Sequence, residues 1–134
     1  MRAVLADTGP LYAALDPDDE NHGRAQENIE LLNLQELGIV VAYPTLCESY
    51  SLILYKLGIP AAHGWLDELR ENASLINPTQ DDYGRASERL LGYRDQGFSM
   101  FDSIVACLSE RLEFPVWTFD HHFDVMRVEV WRDT

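Results

Sequence analysis

The feature that most constrains this fold is a set of short apolar runs that do not alternate. Residues 3–6 read AVLA and residues 39–43 read IVVAY; neither shows the polar residue at every second position that marks a strand with one wet face. Strands buried on both sides need helices above and below them, and helix-length segments lie between the runs. Leu11, Tyr12, Ala14 and Leu15 predict a short helix that halts at the acidic turn DPDDENH, and a second helix is expected from about His22 to Leu37, stopped by Gly38. Pro44 opens a helix whose Leu46, Tyr50, Ile53, Leu54 and Leu57 form one stripe ending at Gly58. Further helices are predicted from Pro60 to about Asn72 and from Thr79 to Gln96, before Gly97. In SMFDSIVACLSERLE, residues Phe101, Ile104, Val105, Leu108 and Leu112 share a helical face. ASLINP at 73–78, FPVWTF at 114–119 and VEVW at 128–131 read as the third, fourth and a short fifth strand. The expectation is one domain over residues 1–134, a three-layer α/β/α fold around a parallel sheet.

Charge narrows the chemistry. Twenty-three Asp and Glu against ten Lys and Arg leave a formal −13 at pH 7, a field that repels polyanions at a distance. Lys56 is the sole lysine, so there is no lysine-rich track for phosphates, and phosphate chemistry here requires divalent cations. Cys47 and Cys107 fall within apolar helical patterns and read as small core residues rather than a disulfide framework. With no signal-like leader and no apolar stretch of membrane length, the reading is a cytoplasmic protein.

Parallel sheets bind ligands outside the carboxyl ends of their strands. Asp7 stands where the first strand ends and Asp120 where the fourth ends. Glu48 falls in the first turn of the helix after the second strand, and Asp102 in the first turn of the helix before the fourth. Each has a purely structural reading. Asp7 suits a helix N-cap ahead of Pro10, and Thr45-x-x-Glu48 and Ser99-x-x-Asp102 match the capping box. Thr79-x-x-Asp82 matches it too, so the pattern does not separate a cap from a ligand. Convergence does: four carboxylates gathered at one rim repel one another unless hard cations neutralise them, and oxygen ligands suit Mg²⁺ or Mn²⁺, whereas zinc wants His or Cys. His121 and His122 follow Asp120 in a loop and read either as substrate-contacting or general-acid groups or as solvated residues. The chain has no Gly-x-Ser-x-Gly elbow, Gly-rich phosphate loop or spaced Cys/His cluster.

Taken in order, LADTGPLYAALDPDDENH, TLCESYSLI, SMFDSIVACLSERL and VWTFDHHF resemble the PIN-domain ribonucleases, particularly the toxin half of VapBC-type toxin–antitoxin pairs, from Val4 to about Val130. The resemblance implies strand order 3-2-1-4-5, with the first and fourth strands side by side. It also implies that Asp7, Glu48, Asp102 and Asp120 occupy the family's acidic metal-binding positions. Thr8 and Thr118 match its accompanying hydroxyl residues, His22 a histidine after the acidic turn, and Phe123 a core Phe. SERLEFPVW departs from the pattern in lacking a Gly just before the fourth strand. The implied activity is Mg²⁺- or Mn²⁺-dependent hydrolysis of RNA phosphodiester bonds. Asp7 and Asp120 are then central ligands, Asp102 a ligand or bridge, and Glu48 acts through water, with Thr8, Thr118 and His121 supporting or contacting substrate. The implied partners are RNA, a cognate antitoxin and a second copy in a homodimer, with no membrane. An antitoxin Arg entering the acidic crevice is a ready means of displacing metal, and the negative field favours capture of a basic peptide. A receiver domain, also acidic and Mg²⁺-binding, needs a lysine near its last strands, and Lys56 lies within a helix. A PIN-like module that binds RNA or protein without cutting it remains the alternative.

Overall fold

The computed structural model describes residues 1–133. Along the chain run β1 (Ala3–Ala6), α1 (Thr8–Leu15), α2 (His22–Leu34), β2 (Gly38–Ala42), α3 (Tyr43–Leu57), α4 (Ile59–Asn72), β3 (Ser74–Ile76), α5 (Gln80–Leu91), α6 (Met100–Leu112), β4 (Val116–Trp117) and α7 (His122–Val125). The four strands form one sheet in the order β3-β2-β1-β4, and every pair is parallel. No helix among the described residues is long and apolar enough to cross a membrane.

The absence of alternation in the strands has a direct structural counterpart. Ala3 and Leu5 of β1 join a core with Val105 and Leu108 of α6 and Phe123 of α7. Val4 and Ala6 point the other way, into a core with Leu11 of α1, Leu32 of α2, Ile53 of α3 and Trp65 of α4. β4 divides likewise, Val116 to the first core and Trp117 to the second. Val4 and Leu5 are both fully buried, each contributing about 1.5–3 kcal/mol. The indole N–H of Trp117 donates to Asn28 Oδ1 at 2.9 Å, tying α2 to β4 inside this second core.

The boundaries shift for identifiable reasons. The expected fifth strand is reduced to an isolated parallel bridge between Val130 and Val116. With β4 only two residues long, its outer edge offers Val116 alone, which donates to Glu129 O at 2.9 Å and accepts from Trp131 N–H at 2.8 Å. α5 stops at Leu91 instead of reaching Gln96, because Gly92 caps it and Tyr93 turns into an edge-on contact with Phe98, 4.9 Å between ring centroids. α2 ends at Leu34, where Glu36 takes a left-handed φ of 56° and Leu37 N–H returns to Leu32 O at 2.9 Å. The α3 stripe frays at its far end, where Leu54 and Leu57 are exposed. Cys47, expected in the core, lies on the exposed side of α3; Cys107 is buried as expected.

Of the three capping-box matches, Thr79 to Asp82 forms at the start of α5, and Asp82 does more than cap. Its buried carboxylate receives Nε and one terminal nitrogen of Arg111, both at 2.8 Å, clamping α5 to α6. The Arg111 guanidinium holds the Asp82 carboxyl well below its ordinary range, at about 2.

Candidate active site

The end of β1 is locked to the end of β4 by a hydrogen bond from Asp7 N–H to Trp117 O of 3.0 Å. That register sets Asp7 beside Thr118, whose hydroxyl donates to Asp7 Oδ2 at 2.9 Å and accepts the backbone N–H of Asp120 at 3.0 Å. One hydroxyl therefore links the two acids that leave the parallel neighbours β1 and β4. Asp7 holds the N-cap position of α1, yet its side chain makes no capping hydrogen bond. Asp7 is 7% exposed and its carboxyl pKa is pushed up to about 7. Burial is the main cause, the charges of Asp102 and Glu48 add to it, and the Thr118 bond opposes it.

Glu48 is not in a capping box. Tyr43 and Pro44 start α3 two residues ahead of Thr45, so Thr45 is a helical residue and Glu48 lies in the second turn rather than the first. Its carboxylate instead accepts the hydroxyl of Thr8, which itself accepts the buried Ser49 hydroxyl at 3.0 Å. Partial burial, reinforced by the charge of Asp102, raises the Glu48 carboxyl above its usual range despite the Thr8 bond. Asp102 is a helix cap that also faces the cleft. It completes the capping box with Ser99 at the start of α6, and one of its oxygens also lies 3.3 Å from Nδ1 of His122.

Asp120 accepts the backbone N–H of His122 through Oδ1 at 3.0 Å, while its Oδ2 stands 3.2 Å from the same Nδ1. Asp102, Asp120 and His122 thus bring one potential ligand atom each within 4.8 Å of the others. His121 lies at the lip, its side chain 81% exposed and 3.7 Å from Asp120. The histidine singled out from sequence is therefore the solvated one of the pair, and His122 is the one set between two carboxylates. The α7 turn decides this, and adjacent loop histidines carry no sign of it in the sequence.

Asp7, Thr8, Glu48, Asp102, Asp120 and His121 all line one cleft of about 510 Å³. Two features of its wall had no sequence signal. Lys56 reaches into it from α3 with Nζ 5.1 Å from the Tyr12 ring centroid, and Phe119 forms part of it beneath the Arg24 guanidinium, 4.6 Å from the ring. Five carboxylates, Asp7, Asp19, Glu48, Asp102 and Asp120, against a single ammonium leave a strongly negative cleft. Carboxylate oxygens with one imidazole nitrogen are a donor set suited to a hard or borderline divalent cation.

Residues 4–129 match the family model described as the PIN domain. Among solved structures, VapC20 of Mycobacterium tuberculosis, described as a Sarcin-Ricin loop cleaving toxin, superposes with a TM-score of 0.85 at 20% identity, covering 97% of this chain and 99% of that one. VapBC2 of Rickettsia felis, bound to a DNA fragment from its promoter, gives a TM-score of 0.76 at 13% identity over 97% of each chain. FitAcB of Neisseria gonorrhoeae gives 0.68 at 16% identity over 96% of each. At these identities the likeness is one of fold. A curated relative, the shikimate dehydrogenase (NADP(+)) of Streptococcus gordonii, is 34% identical over 104 residues, 78% of this chain, and the match spans only 31% of that protein's length.

Proposed function

The chain belongs to the PIN-domain family, and from that premise we propose that it is a divalent-metal-dependent endoribonuclease, the toxin of a toxin–antitoxin pair. The observation that carries this reading is the meeting of Asp7, Glu48, Asp102 and Asp120, drawn from four separate segments, on the wall of one cleft. The proposed metal-holding residues are Asp7, Asp102 and Asp120, with Glu48 acting through water. A bound Mg²⁺ or Mn²⁺ supplies acidification of a water molecule and neutralisation of charge on the phosphate.

The remaining chemistry falls to the chain's own groups. Thr118 fixes the plane of the Asp7 carboxylate and ties it to the Asp120 backbone. Glu48, held by Thr8 and raised by partial burial, is suited to accept the proton of an attacking water. Lys56 offers the one ammonium in the cleft to a phosphate oxygen, and His121, exposed at the lip, is positioned to meet the RNA backbone.

A cognate antitoxin, a homodimer and a cytoplasmic site of action complete the reading. It is supported by the VapC20 and VapBC2 folds and by a net charge of −13 that favours a basic protein partner. The decisive experiment incubates purified protein with structured RNA and Mn²⁺ or Mg²⁺, with a chelator control and an Asp7→Asn variant. Metal-dependent cleavage lost in the variant supports the proposal. A variant as active as the parent, or RNA binding with no cleavage by the parent in either metal, rejects it.

A further inference from the structure

Beside the cleft, against two of its carboxylates, lies a geometric detail that the four-carboxylate reading leaves unused. Nδ1 of His122 stands 3.3 Å from Asp102 Oδ2 and 3.2 Å from Asp120 Oδ2. A single ring N–H points in one direction and donates well to one acceptor at a time. Near-equal spacing from two carboxylates, one on α6 and one on the loop after β4, is the pattern of three donor atoms that share a centre. Neighbouring ligands of an octahedral ion with bonds of about 2.1–2.2 Å lie about 3 Å apart, close to these separations. The ring is also held in place. It packs edge-on against Phe98 with 5.0 Å between centroids, and its residue's backbone N–H occupies Asp120 Oδ1, leaving Oδ2 facing the imidazole.

We propose that His122 is a nitrogen ligand of the cleft's metal, and that it shifts the site's preference from Mg²⁺ toward first-row transition ions. The inference rests on the metal-dependent reading above and adds to it a ligand and a selectivity. Mg²⁺ favours oxygen and dehydrates reluctantly, whereas imidazole binds more strongly along the series from Mn²⁺ to Co²⁺. Removing the nitrogen therefore weakens Co²⁺ most, Mn²⁺ less and Mg²⁺ least.

The test needs no substrate. Pulsed EPR of the Mn²⁺-loaded parent is expected to show a coupled imidazole nitrogen that persists in His121→Ala and disappears in His122→Ala. Calorimetric titration is expected to show Co²⁺ affinity falling at least about tenfold in His122→Ala, the scale seen when groups around a metal are altered, and Mg²⁺ affinity falling less than about threefold. His122→Asn, which keeps a polar group against Asp102, is measured in parallel, with circular dichroism confirming that both variants are folded. A parent that binds Mn²⁺ with no nitrogen coupling, a coupling that survives in both His122 variants, or equal losses for Mg²⁺ and Co²⁺ would each overturn the His122 assignment while leaving the carboxylate site intact. A parent that binds none of the three ions overturns the metal-dependent reading itself.

Discussion

Asp7→Asn should stabilise the metal-free protein and at the same time abolish its response to metal. Without metal, the Asp7 carboxyl ionises at about 7 in the fold against 3.8 ordinarily. Between those values the unfolded chain has released its proton while the folded chain still holds it, so stability falls as pH rises, by about 1.4 kcal/mol per pH unit. The cost is small near pH 4, grows through pH 5 and 6, and levels off above pH 7 at roughly 4 kcal/mol. Asn carries no charge at any of these values and still offers Thr118 an acceptor. In chelator at pH 8 the variant is therefore expected to exceed the parent by about 2–4 kcal/mol, a rise of roughly 6–12 °C in Tm for a domain of this size. At pH 4 the advantage shrinks below about 1 kcal/mol. Urea unfolding at pH 4, 6 and 8 measures this directly. Adding Mn²⁺ then raises the parent by about 2.7 kcal/mol at a hundredfold excess over its dissociation constant and leaves the variant unmoved. A difference that stays flat across the pH series, or a parent more stable than Asp7→Asn in chelator at pH 8, refutes the argument that burial of this carboxyl is the site's stored cost.

Other perturbations separate scaffold from site. Asp82 has its carboxyl held at about 2 by Arg111, so it contributes roughly 2 kcal/mol that is present above pH 4 and lost as pH falls through 2. Asp82→Asn should lose about that much in urea unfolding at pH 7 while its Mn²⁺ affinity stays at the parental value. Thr118→Val removes the hydroxyl that joins Asp7 to Asp120 and is expected to weaken Mn²⁺ binding about 10–100-fold by calorimetry, with Thr118→Ser recovering most of it. Lys56→Ala should weaken RNA binding alike for all sequences and reduce the slope of log affinity against log salt by about 1, with Lys56→Arg restoring it, as filter binding across a salt series reads out.

The architecture was legible because it rests on local rules. Strands without alternation must be covered on both faces, and the split of Ala3 and Leu5 from Val4 and Ala6 into opposite cores is that rule made visible. The rule that parallel strands present their carboxyl ends to ligands puts Asp7 and Asp120 at one rim, and both line the cleft there. What stayed hidden depends on contacts between distant segments. The fifth strand shrinks to one parallel bridge because β4 presents only Val116 to it, a limit that the apolar run 114–119 does not reveal. Glu48 carried a capping-box signature that lost its meaning once Tyr43 and Pro44 opened the helix earlier. Cys47 sat within an apolar pattern that turned its other side to the core. Lys56 reaches the cleft from the last turn of α3, and His122 reaches two of its carboxylates, Asp102 and Asp120, from the four-residue α7, in both cases by side-chain direction alone.

Asp102 braces the start of α6 through Ser99 and faces the cleft with the same carboxylate, whereas the carboxylate of Asp120 has its contacts within its own turn, at His121 and His122. On the proposed reading, damage at the first position strikes assembly and chemistry together, and damage at the second disarms a protein that still accumulates. In a cell culture selected for escape from the proposed ribonuclease, survivors that retain abundant but inert protein should therefore carry lesions at codon 120 more often than at codon 102.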